Sequence, residues 1–190
     1  MKRLFLIIAA ICTFAGAAQA QKLVEGDLTF LQDVTELQVE ITWDGTIIEG
    51  KTEEEYISSR KEAKEEDFET WKMKWYEEDR AVMRNRLTEA FTGSLKKRSE
   101  VTVTDTARYK VIFNIDRIEF GIVYPSTYTK TWSTIHFVDT ETGETMAVMT
   151  YEKMRSGTDW VVASTKYFIA DKLGNTTAKW LVKNKYINKK

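Results

Sequence analysis

The sequence predicts an α+β fold: a two-layer sandwich in which a mainly antiparallel sheet carries a long helix and a C-terminal helix on one face, in the order β-α-β-β-β-α. Three observations predict it. Leu37 to Trp43 places apolar side chains at odd positions and polar ones at even, the pattern of a strand with one buried and one wet face. From Thr52 to about Lys97 the chain becomes charged and helical in character. From Tyr109 to Lys153 alternation returns, punctuated by turn residues and followed by a closing amphipathic segment. Strands joined by short turns pair antiparallel, and two amphipathic helices need an apolar surface to cover, so both are expected on the same sheet face.

Each element has a local reason. Asp44-Gly45 ends the first strand. Thr52-Glu53-Glu54-Glu55 has the form of a capping box, with an acidic first turn that suits the helix dipole. Helical character then continues, with a break expected near Glu65-Glu66-Asp67. Its apolar stripe is not straight. Phe68, Trp71, Trp75 and Val82 share one side, while Leu87, Phe91 and Leu95 lie well round the axis, so the helix bends or its halves meet different partners. In the next strand Tyr109, Val111, Phe113 and Ile115 alternate with mostly polar neighbours. After Asp116-Arg117 the apolar phase flips to Ile118, Phe120 and Ile122, which predicts a β-bulge or bend near Asp116. Thr127 to Val138 and Thr145 to Lys153 read as a hairpin around Asp139-Thr140-Glu141-Thr142-Gly143-Glu144, with Gly143 free to take positive φ. Ser156-Gly157-Thr158-Asp159 precedes the last helix, where Val162, Ile169, Leu173 and Trp180 fall near one face beside Ala163, Ala170, Gly174 and Leu181. Those small residues are expected to bring its backbone close to the sheet.

Residues 1–20 read as a signal peptide: Lys2 and Arg3, an apolar stretch from Leu4 to Ala18, then Ala18-Gln19-Ala20 as the cleavage site. Residues 21–190 are expected to form one α+β domain, exported to the periplasm or beyond. Cys12 does not suggest lipid attachment, because Ile11 rather than a small residue precedes it. No later stretch has the 18 or more apolar residues of a membrane span. Without the leader the chain holds 26 basic and 29 acidic side chains, a balance that argues against nucleic acid as a partner. Loss of Cys12 removes disulfide and thiolate chemistry, and His136 as the sole histidine leaves no site built on several imidazoles.

The remaining candidate groups each have an ordinary structural explanation beside a chemical one. His136 lies on the opposite strand face from Ile135 and Phe137 and, with Asp139 and Glu141, supplies the acid-base suspects of an enzyme reading. Asp139 and Glu141 also suit the turn. Glu53-Glu54-Glu55 and Glu65-Glu66-Asp67 lack the glycine-centred loop that wraps calcium and read as solvated helix. Trp71 and Trp75 have the helical spacing of core residues, although exposed tryptophans also stack on sugars. Tyr124, Pro125 and Tyr128 lie between strands where nothing obliges burial, and with Trp132 they form the candidate interaction surface. No phosphate loop, nucleophile elbow, metal helix or dinucleotide fingerprint is present. No catalytic, cofactor-binding or metal-binding residue is therefore assigned.

Ala107 to Gly121, followed by a strand, the acidic turn at Asp139–Glu144, another strand and a terminal helix, resembles a pattern in envelope proteins of Gram-negative bacteria. The family it resembles is the small periplasmic α+β module of the Tol amino-terminal domain and the curli secretion channel. Glu36 to Gly45 with Lys51 to Tyr56 similarly resembles the opening of small secreted proteins of that kind. The resemblance implies an envelope assembly or interaction module; with the leader and the lack of catalytic groups, the expectation is an exported non-enzymatic module that binds another envelope or secreted protein. It implies no site residue. A carbohydrate-binding module and an enzyme of unrecognised type are the alternatives.

Overall fold

The computed structural model describes residues 20–61, 67–122, 127–157 and 162–190. Strands β1 (Ala20–Gly26), β2 (Glu36–Thr42), β3 (Ile47–Ile48), β4 (Lys51–Thr52), β5 (Thr102–Val103), β6 (Tyr109–Glu119), β7 (Thr129–Asp139) and β8 (Thr145–Ser156) form one mixed sheet. Its main path is β1-β8-β7-β6-β2-β5. The helices are α1 (Glu53–Ser58), α2 (Phe68–Lys74), α3 (Arg80–Lys96) and α4 (Val162–Lys183), with a π-helical turn at Trp75–Asp79 joining α2 to α3. The α+β sandwich is present, but the element order is richer than expected. β1 and the short β3, β4 and β5 carry too few alternating residues to stand out from sequence. The strand β1 begins at Ala20, so cleavage after that residue would leave Gln21–Gly26 within it.

β6, β7 and β8 form an antiparallel meander, and β1 adds antiparallel to β8. β2 lies parallel to β6, an arrangement made possible by the helical crossover between them. The expected bulge is at Asp116: Ile115 pairs with Ser133 and Arg117 with Trp132, leaving Asp116 as the extra residue. This extra residue returns Ile118 to the buried face already occupied by Val111, Phe113 and Ile115. The turn is as read, with Gly143 at φ +74°.

The capping box closes the start of α1: Thr52 Oγ1 accepts the Glu55 N–H at 3.2 Å, and Glu55 Oε2 accepts the Thr52 N–H at 2.9 Å. Asp67 caps α2, accepting from the Glu69 N–H and the Thr70 hydroxyl. Glu65 and Glu66 lie outside the described residues. The swing in the apolar stripe comes from the π turn, which inserts one residue and rotates the preceding face by roughly 100°. Trp75, with Phe68 and Trp71, accordingly packs on Ile48, Tyr56 and Ile57, whereas Met83, Leu87, Phe91 and Leu95 enter the main core. Val82 does not share the burial of Trp75; Met83 does.

α3 and α4 cover the same sheet face and run parallel to one another. Lys166 meets Asp79, Tyr167 lies beneath Arg86, and Ser94 Oγ donates to the Asn175 carbonyl at 3.4 Å, so the contacts advance along both helices together. Gly174 departs from its expected role. A Cβ there would lie 2.7 Å from the Leu87 carbonyl oxygen and 2.9 Å from the Phe91 nitrogen, so its smallness serves the helix–helix contact and not the sheet. Beneath the helices Phe91 meets Phe113 edge-on at 5.6 Å.

Candidate functional site

Chain geometry concentrates exposed apolar side chains at the end of the sheet where β6 leaves, β7 enters and β8 passes to α4. The exit from β6 is held by backbone: the Glu49 N–H donates to the Ile118 carbonyl at 3.0 Å, and Phe120 N–H donates to the Glu49 carboxylate. Further on, the Thr127 N–H donates to the Ile122 carbonyl at 2.7 Å and the Gly121 N–H to Thr129 Oγ1 at 3.0 Å. These bonds fix the approach of Tyr128 to β7. From the other side Arg155 and Ser156 end β8, and Gly157 brings the chain under the Phe168 ring of α4. A Cβ at Gly157 would stand 3.1 Å from that ring.

Two adjoining clefts result. One, of about 520 Å³, is lined by Glu49, Glu119, Phe120, Ile122 and Lys130; the other, of about 750 Å³, by Phe168, Asp171, Lys172 and Asn175; Tyr128 and Arg155 belong to both. Tyr128 is 63 % exposed, Ile122 60 % and Phe168 42 %, so three of the exposed large apolar side chains meet here. Lys130 and Arg117 both engage Glu119, holding its carboxyl below the usual range chiefly through the Lys130 hydrogen bond. Arg155 has no ion-pair partner among the described residues and stands at the shared wall. Burial raises the Asp171 carboxyl, with Arg86 opposing the shift and Glu89 adding to it. Aromatic rings with an available guanidinium are the composition of a protein-binding hot spot.

Of the expected surface, Tyr128 is in the clefts, while Tyr124 and Pro125 lie outside the described residues. Trp132 lines neither cleft. It is half-buried on the sheet face opposite the helices, with the Arg117 guanidinium 4.7 Å above its ring. The acid-base suspects are not brought into one site. Asp139 accepts from Arg108 at 2.7 Å and from the Glu141 N–H at 2.9 Å, and the Arg108 hydrogen bond keeps its carboxyl below the usual range. Glu141 pairs with the same Arg108 at 3.3 Å. His136 sits between Ile112 and Val148, on the opposite parity of β7 from Asp139. Among the described residues no three His, Cys, Asp or Glu side chains gather as metal ligands, and no helix is long and apolar enough to cross a membrane.

A second constellation was invisible to residue spacing. Lys166 of α4, only 2 % exposed, places Nζ 2.6 Å from Asp79 Oδ2 and 3.3 Å from the centre of the Trp75 ring. Glu53 accepts from Trp75 Nε1 at 2.8 Å and from Arg80 at 2.5 Å. Desolvation lowers the Lys166 pKa to about 8 against the attraction of Asp79. The cluster binds α1, the π turn and α4 together. Its members come from distant parts of the chain, and no local pattern joins them.

No protein-family model matches the chain, and no curated protein does. Among solved structures, it is similar to a PelC dodecamer subunit from Paraburkholderia phytofirmans, at 9 % identity and TM-score 0.43 over 82 % of this chain and 96 % of that one. It is also similar to protein XCC0632 of the DUF330 family from Xanthomonas campestris, at 11 % identity and TM-score 0.39 over 82 % and 86 %. A third is a putative neuraminyllactose-binding hemagglutinin homolog from Helicobacter pylori, at 11 % identity and TM-score 0.33 over 86 % and 91 %. None of the three is a Tol amino-terminal or curli-channel domain.

Proposed function

We propose that this protein is an exported, non-enzymatic envelope module that binds another exported protein through the paired clefts at Tyr128 and Arg155. The observation that carries the reading is the convergence of the exposed Tyr128, Ile122 and Phe168 on Arg155, which has no ion-pair partner among the described residues. Covering those side chains would remove apolar surface from water, and aromatic and arginine anchors supply most of the energy in such contacts. The leader-like residues 1–20 and the resemblance of Ala107–Gly121 with its acidic turn to periplasmic modules support export and an assembly role.

A photo-crosslinking amino acid at position 128, irradiated in intact cells and read by mass spectrometry, tests the proposal. A discrete protein adduct that disappears when Phe168→Ala or Arg155→Glu is added is expected. Adduct formation that ignores both substitutions, or none at all, would overturn it. The same cleft favours a second reading as a carbohydrate site, because Tyr128 and Phe168 flank Asn175, Asp171 and Arg155, which offer a ring-stacking surface beside hydrogen-bonding groups. Saturable oligosaccharide binding abolished by Tyr128→Ala, without a protein adduct, would favour sugar.

A further inference from the structure

The parallel run of α3 and α4 brings two basic segments to one end of the molecule. Lys96-Lys97-Arg98 closes α3; from Lys172 to Lys190 the chain has six lysines and no acidic residue. Where they meet, a groove of about 690 Å³ is lined by Arg98, Lys179, Lys183, Lys185 and Lys189 around Val182 and Ile187. The segment after α4 is held in place to shape it. The Gln32 side chain donates to the Lys185 carbonyl at 3.3 Å, Asn188 Nδ2 donates to the Gln32 carbonyl at 2.8 Å, and the Lys190 N–H donates to the Arg98 carbonyl at 2.8 Å. Ile187 is thereby buried and the neighbouring lysines are left at the rim.

Helix dipoles account for only part of this charge. The two C-termini together present about one negative charge, and Arg98 already serves α3 by donating to the Ser94 carbonyl at 2.9 Å. The nearby Glu100 is engaged by Lys190 at 3.2 Å. Among the described residues, Lys179, Lys183, Lys185 and Lys189 have no carboxylate partner, in a chain whose formal net charge is −1. That excess is local, positive and uncompensated.

We propose that this groove docks the protein on an anionic phospholipid surface. Flexible lysines offer point charges with no fixed fork, which suits many phosphates spread over a surface better than one planar anion. Val182 and Ile187 close the groove from the core side, so the contact with the surface is made by the lysines at its rim. In the same segment Trp180 and Tyr186 stack with centroids 5.2 Å apart and are half-buried, the amphipathic ring type that settles at headgroup level. The surface is distinct from the Tyr128 clefts, with Lys179 between them.

Vesicle co-sedimentation of the purified protein tests it, using phosphatidylcholine alone against phosphatidylcholine mixed with phosphatidylglycerol. Binding to the anionic vesicles only, lost at high salt, is expected. Lys183→Gln, Lys185→Gln and Lys189→Gln should each weaken binding about fivefold, and the triple variant about 100-fold. Lys22→Gln with Lys51→Gln, removing exposed lysines from β1 and β4, should bind as the parent. Equal binding to neutral vesicles would overturn the proposal. So would full binding by the single-lysine variants, or binding to soluble alginate as tight as to the vesicles, which would assign the groove to a free polyanion. Crosslinking from position 128 is expected to survive the triple variant, which separates failure here from failure of the protein-binding reading.

Discussion

Sealing the Lys166 ammonium under α4 makes stability depend on alkali in a direction that can be worked out. An unfolded lysine titrates near 10.5, the folded one at about 8, so between these values the unfolded chain holds a proton that the native state has released. Stability therefore rises with pH through that window, by at most on the order of 3 kcal/mol. Tyr151 acts in the opposite sense. Its hydroxyl is buried against Thr177 Oγ1 at 3.0 Å, and desolvation raises its pKa from 10.0 to about 12. Above pH 10 the unfolded phenol ionises first, and stability falls. Chemical denaturation across pH 7–12 is expected to show a maximum near pH 10. Lys166→Met should flatten the rising arm and Tyr151→Phe the falling one. Arms that persist unchanged in both variants would mean that other groups set the profile.

At the scale of elements, two single-residue insertions shape the molecule: Asp116 in β6 and the π turn at Trp75–Asp79. Removing Glu78, which is exposed, should restore α geometry and turn the Phe68–Trp75 face away from Ile48, Tyr56 and Ile57. Trp75 would lose its bond to Glu53, and a red-shifted tryptophan emission with a stability loss of about 2–4 kcal/mol is expected. Unchanged emission and unfolding midpoint would show that the turn absorbs the deletion elsewhere. Both insertions were legible as breaks of apolar phase, at Asp116-Arg117 and between Trp75 and Leu87, because periodicity records which face a residue buries. The partners across the fold were not. Gly174 faces Leu87 of α3 and Lys166 faces Asp79 of the π turn through the packing of α4, and nothing local in these segments encodes that register. In the candidate site Tyr128 was legible because a tyrosine between strands has no core to enter. Phe168 and Arg155 were not, since each looks locally like an ordinary helix or strand residue.

For the molecule as a whole, the β1 edge of the sheet governs further strand pairing. β8 spans Thr145–Ser156, and among the described residues β1 pairs with its outer backbone, from Ala20↔Glu152 to Gly26↔Ala147. β1 has its own defences against further pairing: the register shifts between Leu23 and Glu25, and Lys22 and Glu25 are exposed. Its inward side chains also reach the core, with Leu23 against the main cluster and Gln21 bonded to the Tyr151 hydroxyl. Deleting residues 21–26 should uncover a long strand whose N–H and C=O groups seek a new partner, while Tyr151 loses a hydrogen bond. Association is therefore expected together with a lowered unfolding midpoint, measured by light scattering and denaturant titration over a range of protein concentrations. Substituting Lys22→Ala and Glu25→Ala in the full chain separates the two causes: it removes the edge charges while keeping β1, so it should promote association with little change in stability. A deletion variant that associates no more than the parent would mean that β8 protects its own edge, and the role assigned to β1 would reduce to packing.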